Sequence, residues 1–287
     1  MATFKPTPKW PSALRNLVTR DLHVQTGKYS VTGLITPPRL AQLRKRYDAQ
    51  IELDPDDRIW MLFGTLVHKQ LEEAAGKNAL TEELLTVNVN GVKVSGSADV
   101  WEDGVLCDFK TTSAYSVKSG LKPEWTKQLS MYALMYRNQG FTVRSAIITA
   151  ILRDWSKTTA MRDASYPQKR VCIIDVPLMS NADTLAYMEE RVAIHEAAES
   201  MADDELPKCT AEERWERPAK YAVMKKGRKS AVKLHDSEFE AQVFIDGIEK
   251  DKEKHYIEFR KGESIRCEGY CEVCGFCNQY KAMQEEK

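Results

Sequence analysis

The sequence predicts an α/β (α+β) protein, with a mixed central sheet flanked by helices and a small metal-stapled appendage at the C-terminal end. Three observations lead there. Stretches with helical spacing of apolar residues interleave with short alternating strands over the first two-thirds of the chain. Two tight-turn dipeptides, Asn90-Gly91 and Asp103-Gly104, lie between alternating runs and mark hairpins. Four of the seven cysteines crowd between Cys267 and Cys277.

At 287 residues and 43% hydrophobic composition, the chain can bury a full core. Lysine plus arginine equal aspartate plus glutamate at 42 each, so there is no global basic field and any nucleic-acid contact must be local. The start carries Lys5, Lys9 and prolines rather than an apolar segment, and no run of about 18 apolar residues occurs anywhere. A cytoplasmic location follows as the expectation, and with it reduced thiols rather than a disulfide framework.

The elements can be taken in order. Pro37-Pro38 opens a charged helix through about Tyr47, and a more apolar helix spans 57–75, with Ile59, Leu62, Phe63, Leu66, Val67 and Leu71 at helical spacing. Asn90-Gly91 turns a strand at 85–89 into one at 92–101, and Asp103-Gly104 turns that into a third, giving three antiparallel strands. Pro123 starts a helix that Gly140 closes. Strands at 142–152 and 171–176 and a helix at 182–201 complete a first domain, 1–202. Polar residues 203–218 open a second, 203–287, with a basic-tipped hairpin from Tyr221, a helix at 237–250 and the cysteine cluster.

The second hairpin concentrates charge. With Asp103-Gly104 as a two-residue turn, Glu102 faces Val105 and Asp99 falls opposite Asp108. Alternation then places Asp99, Asp108 and Lys110 on one face. Carboxylates so opposed lie about 4.5–5.5 Å apart at Cβ and repel, while the neighbours Val94, Ala98, Val100, Leu106 and Phe109 are too apolar for an exposed ribbon. A hard divalent cation such as Mg²⁺ offsets that repulsion. Gly64 and His68, four apart, share a helix face, as do Gln128 and Tyr132.

In this order and spacing, Gly64-x-x-x-His68, Gly96-x-x-Asp99, Asp108-Phe109-Lys110 and Gln128-x-x-x-Tyr132 resemble the RecB-type exonuclease branch of the PD-(D/E)XK nuclease superfamily. The resemblance is closest over residues 30–155. It implies a restriction-endonuclease-like core. It further implies that His68, Asp99, Asp108 and the Phe109 carbonyl hold Mg²⁺ or Mn²⁺, that Lys110 acts on the attacking water and the phosphate, and that Gln128 and Tyr132 hold the strand. Its implied activity is cleavage of DNA, at ends or as a structure-specific endonuclease. A non-catalytic module holding DNA or a single-strand annealing recombinase is the alternative.

Four closely spaced cysteines in a reduced compartment point to a metal. The cysteine-bearing tail is similar to that of phage-encoded superfamily members, and the resemblance implies a [4Fe–4S] cluster on Cys209, Cys267, Cys271 and Cys277. Cys274 in place of Cys209, and Zn²⁺ in place of iron, stay open. Such a cluster would close the loop from 209 to 277 and pin the appendage to the core. Cys107 and Cys172 read as packing residues. Lys225, Lys226, Arg228 and Lys229 at the hairpin tip can neutralise DNA phosphates without reading sequence.

Overall fold

A computed structural model of the chain describes residues 2–7, 9–20 and 27–285, so Met1 and Pro8 of the opening segment lie outside the described residues. Two compact units divide it, Met1–Met201 and Ala202–Lys287. No helix among the described residues is long and apolar enough to cross a membrane.

The first unit contains α1 (Val31–Ile35), α2 (Pro38–Tyr47), α3 (Ile59–Glu73), β1 (Leu80–Thr81), β2 (Leu85–Val89), β3 (Val92–Gly96), β4 (Val100–Glu102), β5 (Val105–Thr112), α4 (Pro123–Asn138), β6 (Ser145–Leu152), β7 (Val171–Val176) and α5 (Asn181–Ser200). Five strands form a mixed sheet in the order β7-β6-β5-β4-β1. Only β5 and β6 run parallel, because α4 carries the chain across between them; the other neighbours are antiparallel. A second sheet joins Tyr29–Ser30, β3 and β2.

Both turns take the conformation their residues favour. Asn90 and Gly91 have φ of 50° and 85°, and Asp103 and Gly104 have 46° and 79°. Positive φ at both central positions is the type I′ turn, whose twist matches paired strands. The expected single strand over 92–101 is instead two strands in two sheets, parted at residues 97–99. A Cβ on Gly96 would stand 2.7 Å from Tyr132 Cε1 and 2.7 Å from Val31 Cγ2. The chain therefore meets the ring of Tyr132 at Gly96 and leaves the second sheet there.

The core lies around α4. Proline in the first turn suits its start, and Leu129, Met131, Met135 and Tyr136 are buried together with Leu106 and Ile148 of the sheet and Met188 and Val192 of α5. Every residue from Leu129 to Tyr136 is buried, so this stretch of α4 is enclosed on all sides rather than along one stripe. Each such side chain stabilises the fold by about 1.5–3 kcal/mol. α3 differs from expectation. It packs on β5, yet Phe63 is 52% and Leu66 46% exposed, and no residue of the helix is buried. Its periodicity set one packing face, and nothing among the described residues covers the other.

The second unit is built on β8 (Lys220–Lys225), β9 (Lys233–His235), α6 (Glu238–Asp246), β10 (His255–Arg260) and α7 (Asn278–Glu285). Its sheet runs β9-β8-β10, all antiparallel. Strand β10 was not foreseen, because highly charged residues 249–254 mask the alternation that follows them. Ala241 and Ile245 of α6 pack on Val223.

Candidate active site

The site forms where the β4–β5 ladder stops. Register runs Glu102↔Val105, Trp101↔Leu106, Val100↔Cys107, so the next pair would be Asp99 and Asp108. Pairing ends before it. The Asp99 carboxylate itself accepts the Phe109 N–H, at 2.6 Å from Oδ2. A strand residue presents its N–H and C=O on the same edge, so the Phe109 carbonyl faces the opening that Asp99 leaves.

Alternation along β5 turns Leu106 and Asp108 inward, and both are buried. Lys110 follows on the same face, with Nζ 2.7 Å from Asp108 Oδ2. The contact is an ion pair without hydrogen-bond alignment, and Asp108 Oδ2 is left buried with no directed donor. An oxygen paired in charge but without a directed hydrogen bond is costly in a protein interior unless something completes it. Asp99 is driven well above the usual carboxylate range, to about 7, first by burial and then by the charge of Asp108.

From α3, His68 brings Nδ1 to 3.6 Å from Asp99 Oδ2 and sets its ring edge-on to Phe109 at 6.3 Å between centroids. Gly64, one turn earlier, has open space where a Cβ would point, which leaves the imidazole approachable. Gln128 Nε2 donates to the Tyr132 hydroxyl at 3.4 Å, and burial pushes that hydroxyl's pKa up. Tyr132 reaches the neighbourhood of the acids because Gly96 has no side chain to bar it.

One residue escaped the sequence reading. Glu82 follows β1, donates its N–H to the Asp99 carbonyl at 3.3 Å and accepts the Ser97 hydroxyl at 3.0 Å. Donor atoms of His68, Glu82 and Asp99 all lie within 4.8 Å of one another. The converging trio therefore contains Glu82 where Asp108 was expected, and Asp108 is turned to Lys110. The only sequence signal was the acidic pair Glu82-Glu83 ahead of a strand.

Two carboxylates, an imidazole and the Phe109 carbonyl are the hard, oxygen-rich donors that Mg²⁺ or Mn²⁺ takes. The incompletely satisfied Asp108 Oδ2 and the burial that resists ionisation of Asp99 are what a nearby cation would relieve. The residues present fit such an ion.

In the second unit, Cys209 is held by a two-point clamp. Its N–H donates to Gln279 Oε1 at 2.8 Å, and its carbonyl accepts from Gln279 Nε2 at 2.9 Å; Arg214 Nη1 donates to the same carbonyl. The thiol is pushed up to about 12 by burial, then by Glu213, Cys277, Cys267 and Cys271. Burial raises Cys267 as well, and lifts Cys271 to about 11. Cys274 interacts with Cys267 and Cys271. Both ends of the proposed cluster loop thus belong to one unit, so a cluster would close that unit on itself rather than pin it to the core.

At the basic tip, Lys225 is committed to Asp251 at 3.0 Å and Arg228 Nε to Ser230 at 3.1 Å. Lys226 and Lys229 are exposed. On the first unit, the Arg153 guanidinium stacks over the exposed Trp60 ring at 4.5 Å.

No protein-family model matches the chain, and no curated protein matches it significantly. Among solved structures it is similar to SSO0001, at 20% identity over 64% of this chain and 85% of that one, with a TM-score of 0.44. It is also similar to LHK-Exo, an alkaline exonuclease from Laribacter hongkongensis, at 14% identity over 60% of this chain and 89% of that one, with a TM-score of 0.36. LHK-Exo in complex with dAMP gives 16% identity, 60% and 89% coverage and a TM-score of 0.34. At these values the likeness carries no functional weight.

Proposed function

We propose that this chain is a Mg²⁺- or Mn²⁺-dependent nuclease of the PD-(D/E)XK, RecB-like type that hydrolyses DNA phosphodiesters from ends. The observation that carries the reading is the pair of buried Asp108 and part-exposed Lys110 beside the converged His68, Glu82 and Asp99. A structural role needs none of these together. Phosphodiester hydrolysis needs both, a cation site and a fixed ammonium beside it.

His68, Glu82, Asp99 and the Phe109 carbonyl would hold the cation, with Asp108 as a further oxygen. The cation supplies a water of lowered pKa and neutralises phosphate oxygen charge. Lys110, fixed by Asp108 yet partly open to solvent, holds the attacking water by hydrogen bond and balances the charge that grows on the phosphoryl oxygens. The water oxygen bonds to phosphorus as the ester P–O bond breaks, and the leaving oxygen takes a proton. Gln128 and Tyr132, linked at 3.4 Å, orient the strand. Trp60 with Arg153 offers a base-stacking face and a phosphate-seeking cation. Lys226 and Lys229 supply further phosphate contacts.

An iron–sulfur cluster on Cys209, Cys267, Cys271 and Cys277 staples the second unit in this reading. Brown protein absorbing near about 400 nm supports it, and a colourless zinc-loaded protein replaces iron by zinc. The enzymatic test uses linear and circular DNA, single- and double-stranded, labelled at either end, with Mg²⁺ or Mn²⁺. Linear substrates shortened from an end while circles persist is the expected result. Cut circles make it an endonuclease, and DNA bound but intact in every form makes it a binding module.

A further inference from the structure

The outer edge of β7 ends the five-stranded sheet among the described residues. Leu152 donates its N–H to the Arg170 carbonyl at 2.9 Å, and Cys172, Ile174 and Val176 continue in register with Ala150, Ile148 and Ala146. In an antiparallel ladder the hydrogen-bonded positions alternate. The N–H and C=O groups of Val171, Ile173 and Asp175 therefore point away from the sheet. Their side chains are open too: Val171 is 46% and Ile173 60% exposed. An apolar edge of this length with no proline or lysine inside it is a template for another strand.

A second copy of the same strand fits that template in one register. Two-fold antiparallel pairing has to join outward positions to outward positions about a central residue; centring on Ile174 sets Ile173 against the partner's Asp175 and Val171 against the partner's Pro177. Centring on Ile173 sets Val171 against the partner's Asp175 and buries a carboxylate beside a methyl pair. Centring on Val171 sets Lys169 against the partner's Ile173 and leaves Asp175 beyond the ladder, opposite the partner's Pro167. Centring on Cys172 opposes Lys169 to the partner's Asp175 twice and Val171 to the partner's Ile173 twice. Charge meets charge and apolar meets apolar only there. Neither Lys169 nor Asp175 forms an ion pair within the described chain, so both are available. Pro177 follows the last strand residue and the chain bends at 168–170 ahead of the first, so the ladder stops at both margins.

We propose that two copies of this chain join antiparallel through the outer edge of β7, with Cys172 facing the partner's Cys172 across the two-fold axis. The contact is isologous and closes, so it yields a dimer rather than a fibre. It adds about four main-chain hydrogen bonds, two for each Val171–Ile173 pair, with the side chains of Lys169 and Asp175 meeting beyond them. Cys172 falls at a non-hydrogen-bonded pair, where Cα atoms approach to about 4.5 Å, inside the range a disulfide spans.

The full-length chain tests this without reference to DNA cleavage. Analytical ultracentrifugation at tens of micromolar is expected to show a dimer. Asp175→Lys, which opposes lysine to lysine, is expected to raise the dimer dissociation constant at least tenfold, and adding Lys169→Asp to that variant restores it. Mild copper-phenanthroline oxidation is expected to give a covalent dimer that is lost in Cys172→Ser and kept in Cys107→Ser. A monomeric wild-type chain, a charge swap that fails to restore association, or a crosslink that survives Cys172→Ser overturns the proposal.

Discussion

Asp99 ends the hairpin ladder by taking the Phe109 N–H with its own carboxylate, at 2.6 Å. Without that side-chain contact the two strands could zip for another pair, and the opening that the Phe109 carbonyl faces would close. The candidate site is thus a break in a sheet, maintained by one of the proposed metal ligands.

Lys110→Ala removes the ammonium that balances Asp108. Cleavage is expected to fall by about 10²- to 10³-fold, with DNA affinity within a few-fold of wild type. Single-turnover assays beside fluorescence anisotropy separate the two.

Glu82→Gln keeps the shape but removes a charge from the converged trio. Mn²⁺ affinity, read by titration calorimetry without DNA, is expected to fall about tenfold or more. An unchanged affinity would return Glu82 to the status of a surface acid.

The raised Asp99 carboxyl predicts how metal-free stability follows pH. Its folded pKa of about 7 lies above its unfolded value near 3.8, so its favourable contribution is complete below about pH 4 and is lost as pH rises through 7. Thermal melts in chelator are expected to show a melting temperature that declines between pH 5 and pH 8. Asp99→Asn, which still accepts the Phe109 N–H, is expected to flatten that decline.

Gly96→Ala would drive a methyl to 2.7 Å from both Tyr132 and Val31. Overpacking of this kind costs about 1–3 kcal/mol, measurable by chemical denaturation. Because Tyr132 is displaced, cleavage is expected to fall further than stability alone accounts for.

Trp60→Ala is expected to weaken single-stranded DNA binding by about 1–3 kcal/mol and Arg153→Ala to reduce its salt dependence. Neither change should alter Mn²⁺ affinity. Trp60 and His68 stand eight positions apart on α3, about 12 Å along the axis, so shortening the DNA to a few nucleotides on that side should erase both effects.

How much of this was legible follows the range of the interactions. Asp103-Gly104 announced its turn, and the turn alone determined the register from Glu102 to Cys107, because both are local. Glu82 stayed hidden for two reasons. Its strand is two residues long, and its own φ of 49° is one that a glutamate seldom adopts. It reaches Asp99 only because Thr81 pairs with Val100, a long-range contact. The exposure of Phe63 and Leu66 was illegible for another reason: periodicity defines a helix face without saying whether a second layer exists to cover the rest.

Gln279 reaches back 70 residues to hold the peptide of Cys209 at both its N–H and its carbonyl. Ring closure across so long a stretch is a cost that small metal-dependent domains leave to the ion itself, which is why they collapse under chelation. Here an amide side chain shares that duty. The join between residues 209 and 279 rests on these two hydrogen bonds, so it stands whether or not the thiols hold an ion.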